Sequence, residues 1–144
     1  MIVVDANVLL YAYHRGVPQH DAARTWVENA FSGWEPIGLP WQCINAFLRI
    51  ATHGKVFERP YTTAEAIDIV RSWLAAPTVR TLDPGERYFE ILARLLESSQ
   101  VSGPLVMDAA LASLAIEVGA TLATSDRDFR RFDGLKLIDP LLEG

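Results

Sequence analysis

The chain has 144 residues, half of them hydrophobic and 22% charged, with a formal net charge of −5 at pH 7. That length suits one domain, residues 1–144, with a proper core; no apolar run approaches the roughly 20 residues of a membrane span, and no basic region followed by an apolar stretch marks a signal peptide. A single cysteine, Cys43, excludes an internal disulfide and a cysteine-rich zinc site, so the cytosol is the expected compartment. The acidic balance argues against a protein that coats nucleic acid non-specifically, but it leaves room for a nucleic-acid enzyme, because clustered metal-binding carboxylates lower the total themselves.

Ile2-Val3-Val4 reads as a buried strand, central in a parallel sheet, that ends on Asp5 and runs directly into an apolar, helix-like segment through Tyr11. Pro18 to Phe31 reads as a helix, since Ala23, Trp26, Val27, Ala30 and Phe31 recur at helical spacing and Gly33 is a natural stop. Ile37 to Pro40 is a short strand candidate, against which Pro40 counts; Trp41 to about Thr52 is a second helix with Ile44, Phe47, Leu48 and Ala51 on its buried face. Thr62-Thr63-Ala64-Glu65 fits a capping box and opens a helix that Pro77 ends. Thr78 to Leu82 is a strand, and Asp83-Pro84-Gly85-Glu86 predicts another helix start, with Asp83 as cap, Pro84 in first position and Glu86 completing the box. Tyr88, Ile91, Leu92, Leu95 and Leu96 give that helix its apolar face, and Ser98 to Gly103 is a loop. Asp108 precedes an alanine-rich helix, Ala109 to Val118, apolar nearly all round and so deeply packed. Ala120 to Thr124 is a strand, and Leu135 to Ile138 a last short one. Helices alternating with short apolar strands call for an α/β fold: a three-layer α/β/α arrangement with a central parallel sheet and right-handed crossovers.

Three acids then stand out. Asp5 ends the first strand, Asp126 ends a late one, and Asp108 begins the alanine-rich helix. If those strands are neighbours, all three meet at the sheet edge where open α/β folds bind ligands. Such a cluster repels itself at neutral pH unless cations neutralise it, and oxygen-only ligands suit Mg²⁺ or Mn²⁺. That is the physical case for metal-dependent phosphodiester hydrolysis. Plainer readings exist for each: Asp108 as a helix cap, Asp126 and Asp128 as turn residues. A carboxylate directly after a buried strand needs a partner, and Asn7 or Thr124 is that partner for Asp5.

Other candidates are weaker. His14, His20 and His53 lack metal-ligand spacing, Cys43 belongs to packing, and neither a P-loop nor a nucleophile elbow is present. Arg127, Arg130 and Arg131 make a small basic patch beside Asp126, read either as a solvated face or as contacts to RNA phosphates at the mouth of the site.

The segments Asp5-Ala6-Asn7-Val8-Leu9-Leu10-Tyr11, Asp108-Ala109-Ala110-Leu111-Ala112 and Thr124-Ser125-Asp126-Arg127-Asp128-Phe129 resemble, in order and spacing, the PIN domain, and within it the VapC-type ribonuclease toxins of bacterial toxin–antitoxin pairs. Asn45-Ala46-Phe47-Leu48-Arg49-Ile50-Ala51-Thr52-His53 is similar to one subgroup of those toxins. The resemblance spans nearly the whole chain. It implies an acidic pocket that binds Mg²⁺, with Mn²⁺ able to substitute, and hydrolytic cleavage of single-stranded or loop RNA. Asp5, Asp108 and Asp126 match three family acids. A further family glutamate falls at about Ala46, or at Asn45 if the register slips by one, so Asn45 or Asp128 is left to supply the missing ligand. The resemblance also implies a homodimer and a VapB-like antitoxin whose C-terminal segment covers the pocket.

Two readings from other classes stand beside this one. An aspartate-based phosphatase would use Asp5 as nucleophile, but the acid/base position two residues on is Asn7, which cannot shuttle a proton. A catalytically weak PIN-like module that only binds RNA or protein would account for the absent glutamate.

Overall fold

A computed structural model describes residues 1–142. The first strand, β1 (Ile2–Val4), passes through Asp5 into α1 (Ala6–Tyr13), and α2 (His20–Phe31) returns the chain to β2 (Ile37–Pro40). Then come α3 (Trp41–Ala51), α4 (Thr63–Ala75), β3 (Val79–Leu82), α5 (Tyr88–Ser98), α6 (Leu105–Glu117) and β4 (Thr121–Ala123). A 3₁₀ turn, Arg127–Arg131, leads to β5 (Lys136–Ile138). All neighbouring strands pair in parallel, in the order β3-β2-β1-β4-β5.

The sheet is the middle of three layers. Successive residues of a strand face opposite sides, so β1 sends Val4 into one core, with Leu9, Val27, Ile44, Phe47 and Trp73 from α1–α4. Val3 goes into the other, with Leu95, Leu111, Leu122 and Phe129 from α5, α6, β4 and the 3₁₀ turn. Burial on both faces explains why β1 and β4 are apolar without alternation. Every residue of α6 from Ala109 to Ala115 is buried, as its all-round apolar character required. Pro40 sits in an interior strand without cost to the ladder, because β1 pairs with β2 only at Ile37 and Gly38 and has ended before Pro40 is reached.

Two helix starts differ from their sequence reading. The capping box at α4 is present as expected: Thr62 Oγ1 accepts from the Glu65 N–H at 3.1 Å, and Glu65 Oε1 accepts from the Thr62 N–H at 2.9 Å. The box expected at Asp83–Glu86 is absent, and α5 begins only at Tyr88. Glu117, from the end of α6, takes over there: its Oε1 accepts from the Gly85 N–H at 2.8 Å and its Oε2 from the Arg87 N–H at 2.9 Å. Glycine at position 85 leaves room for this approach, since a Cβ there would lie 2.6 Å from Glu117 Oε2 and would push that carboxylate aside. The other correction concerns α6, which starts at Leu105 behind Pro104, so Asp108 stands in its first turn rather than at its cap. With the capping role excluded, the carboxylate of Asp108 is available to the site.

Candidate active site

β1 is the topological switch point of the sheet: β2 and β3 lie to one side of it, β4 and β5 to the other. The crevice beyond the carboxyl ends of β1 and β4 is therefore where a ligand is expected. β1 pairs with β4 from Ile2–Thr121 to Val4–Ala123, which brings Asp5 alongside Thr124 at that edge.

Asp5 is 8% exposed. The hydroxyl of Thr124 donates to its Oδ2 at 2.8 Å, one of the two partners the sequence allowed. The same Thr124 Oγ1 accepts from the Asp126 N–H at 3.1 Å, which ties the turn after β4 to the acid after β1. Burial raises the pKa of Asp5 from 3.8 to about 6; the Thr124 hydrogen bond opposes this, and the nearby charges of Asp108 and Asp126 add to it.

Asp126 caps the 3₁₀ turn, its Oδ1 accepting from the Asp128 N–H at 2.9 Å. The turn reading of this residue is thus correct and does not compete with the functional one, because the capped turn is what swings Asp128 round. Asp108, Asp126 and Asp128 offer carboxylate oxygens that all lie within 4.8 Å of one another. Asp108 is half-buried, and its carboxyl is held above the ordinary range by burial first and then by the charges of Asp126 and Asp128, with Arg131 pulling the other way. Arg131 contacts Asp128 from the side, at 3.4 Å between the charged groups, and its Nε donates to the Asp128 carbonyl at 3.0 Å.

The three sequence-marked acids therefore do converge, with a change of emphasis. Asp128, a secondary candidate on sequence grounds, belongs to the tight cluster, and Asp5 is set deeper beside it. Asp5 and Asp108 also line a cleft of about 540 Å³, whose other wall is the exposed face of α3 with Gln42, Asn45 and Arg49. Asn45 and Ala46 both line this cleft, so the site has no carboxylate from α3 whichever register the resemblance takes. Arg49 was overlooked in the sequence. The only signal for it was its place one helical turn after Asn45.

The residues fit a divalent metal. Hard carboxylate oxygens close together, with burial and then like-charge crowding raising Asp5 and Asp108, make a site that suits a small dication. Asp108, Asp126 and Asp128 would hold such an ion, with the buried Asp5 nearby. Of the other candidates, Cys43 and Asn7 also line the cleft, Arg127 and Arg130 line a smaller pocket with Asp126, and His14 lines a different one. Cys43 is buried and its thiol is pushed up by that burial, far from thiolate character. His14 stacks on Phe57. Asn7 is exposed on the cleft and offers no proton-transfer group.

The profile of the PIN domain matches residues 2–135. Among curated proteins, Ribonuclease VapC33 of Mycobacterium tuberculosis is 43% identical over 143 residues, covering 99% of this chain and all of that one. Ribonuclease VapC37 of the same species is 41% identical over 140 residues, 97% of each. Among solved structures, the VapBC2 complex of Rickettsia felis bound to promoter DNA superposes with a TM-score of 0.69 at 21% identity, over 96% of this chain and 98% of that one. Mycobacterium tuberculosis VapC20, a sarcin–ricin loop cleaving toxin, gives 0.67 at 15% identity, over 94% and 99% of the two chains. The chain belongs to the PIN-domain family, in its branch of VapC ribonucleases.

Proposed function

We propose that the protein is a Mg²⁺-dependent endoribonuclease, with Mn²⁺ able to substitute, and the toxin of a toxin–antitoxin pair. The observation that carries this reading is the grouping of Asp108, Asp126 and Asp128 within 4.8 Å of one another beside the switch point of a parallel sheet, with Asp108 and the buried Asp5 lining a cleft. The ribonuclease names of relatives above 40% identity support it. A bound ion would supply charge neutralisation at the phosphate and a lowered pKa for water. The chain's own part is to hold the strand over Asp5 and Asp108 and to keep Asp5 fixed through Thr124; water would attack phosphorus in line as the P–O3′ bond breaks, and the proton it loses would pass by way of a carboxylate of the cluster to the departing 3′-oxygen. The products would carry 5′-phosphate and 3′-hydroxyl ends. Structures of VapB-bound neighbours support a VapB-like antitoxin as partner, its basic C-terminal segment suited to the acidic cleft. The protein would work in the cytoplasm as a homodimer of single domains.

One observation favours the weaker-site reading: α3 contributes Asn45 and Ala46 where a further carboxylate would strengthen a metal site. Incubating purified, antitoxin-free protein with total bacterial RNA, with EDTA or with Mg²⁺ or Mn²⁺, separates the two. The ribonuclease reading expects discrete fragments only with metal. Intact RNA from a folded sample that binds no Mn²⁺ would leave the binding module.

A further inference from the structure

The cleft has a second wall, and its chemistry is unlike the first. α3 turns Asn45 and Arg49 to it, one helical turn apart and both exposed. Among the described residues the Arg49 guanidinium forms no ion pair, whereas Arg131 is engaged with Asp128. Arg49 thus lines the same cleft as Asp5 and Asp108 without an ion pair to either among the described residues. An arginine that lines an acid-bearing cleft without neutralising it is available to an incoming anion.

A single RNA strand crossing this cleft brings a row of phosphates past Asp5 and Asp108. The phosphate over the acids is the one to be cut, and its neighbours meet uncompensated negative charge. An arginine fork fits a phosphate with two parallel hydrogen bonds. We propose that Arg49 binds the phosphate adjacent to the scissile one and so sets the register of single-stranded RNA over the carboxylates. This rests on the ribonuclease reading and adds a substrate-binding residue to it. It also gives the neutral pair Asn45-Ala46 a physical reason. A carboxylate at position 45 would sit one turn from Arg49, pair with it, and take it from the substrate.

The test is the initial rate of total-RNA cleavage at subsaturating RNA, with Mn²⁺, across 25–200 mM KCl, for wild type, Arg49→Gln and Arg49→Lys. Mn²⁺ binding to each is measured alongside. The expected result is a roughly tenfold to hundredfold lower rate for Arg49→Gln with Mn²⁺ affinity unchanged, and partial rescue by Arg49→Lys. Loss of one phosphate contact on a single strand should also flatten the log rate against log salt by about 0.7. A wild type that cleaves beside an Arg49→Gln variant with the same rate and salt slope would overturn this proposal alone. A wild type that does not cleave with metal would overturn the ribonuclease reading and this proposal with it.

Discussion

The two walls of one cleft differ in how they were built and in what they do. The acidic wall shows Asp5, after β1, and Asp108, in the first turn of α6, to the cleft, and Asp126 with Asp128 around the 3₁₀ turn stand close to Asp108. Its groups are crowded, partly buried and electrostatically strained, with Asp5 raised to about 6. The α3 wall is a single exposed helix face, with neutral Asn45 and with Arg49, which has no ion pair among the described residues. Crowded carboxylates of the first kind suit a cation, and an exposed arginine of the second kind suits an anion. Under the proposed function, metal on one side and phosphate on the other would satisfy both.

The largest break in this comparison comes from the acidic wall. Asp108→Asn keeps the shape of the side chain and removes its charge, and should lower cleavage by at least about a hundredfold, with the thermal transition unchanged or raised. Cleavage on RNA gels and a melting curve check both halves.

The pH dependence of stability follows from Asp5. Its folded pKa of about 6 lies above the ordinary 3.8, so the native state binds more protons than the unfolded chain between those values. The stability tied to its protonation is fully present below about pH 4 and lost as pH rises through about 6. At about 1.4 kcal/mol per pH unit this amounts to roughly 3 kcal/mol. Melting in EDTA from pH 4 to 7 should show a steeper decline in wild type than in Asp5→Asn, which keeps the smaller contribution of Asp108, and Mg²⁺ should reverse it near neutrality. Parallel curves for the two proteins would remove Asp5 from the account.

Thr124→Val tests how the acidic wall is held. It leaves Asp5 Oδ2 buried without its donor and the Asp126 N–H without its acceptor, and should cost about 1–3 kcal/mol in chemical denaturation. Thr124→Ser should recover most of it. The smallest effect belongs to the α3 wall: Asn45→Glu should pair with Arg49 and flatten the salt dependence of cleavage toward that of Arg49→Gln, while tightening Mn²⁺ binding a few-fold.

Legibility in the sequence divided along similar lines. β1 and its terminal acid could be read because an apolar run ending on a carboxylate is a local pattern, and the Thr62–Glu65 box because both partners lie within one turn. Thr124 was a partner candidate for Asp5 because both follow strands, and the pairing of β1 with β4 made it the real one. The start of α5 was misread because its N–H groups are satisfied by Glu117, from another helix and some thirty residues on. The start of α6 was placed late because Leu105 to Met107 carry no cap signal, and Pro104 supplied the start. Asp128 was underweighted since only the turn geometry brings it to Asp108. Arg49 carried no signal of its own, as an exposed arginine on a helix is ordinary until the cleft beside it is known.

The measurement that bears most directly on the account is metal-dependent cleavage of total RNA by wild type beside Asp5→Asn, both shown to be folded by circular dichroism. The account predicts discrete fragments from wild type with Mg²⁺ or Mn²⁺, none with EDTA and none from the variant. Fragments produced equally by Asp5→Asn, or by wild type in EDTA, would contradict the assignment of the acidic wall as the metal-dependent site.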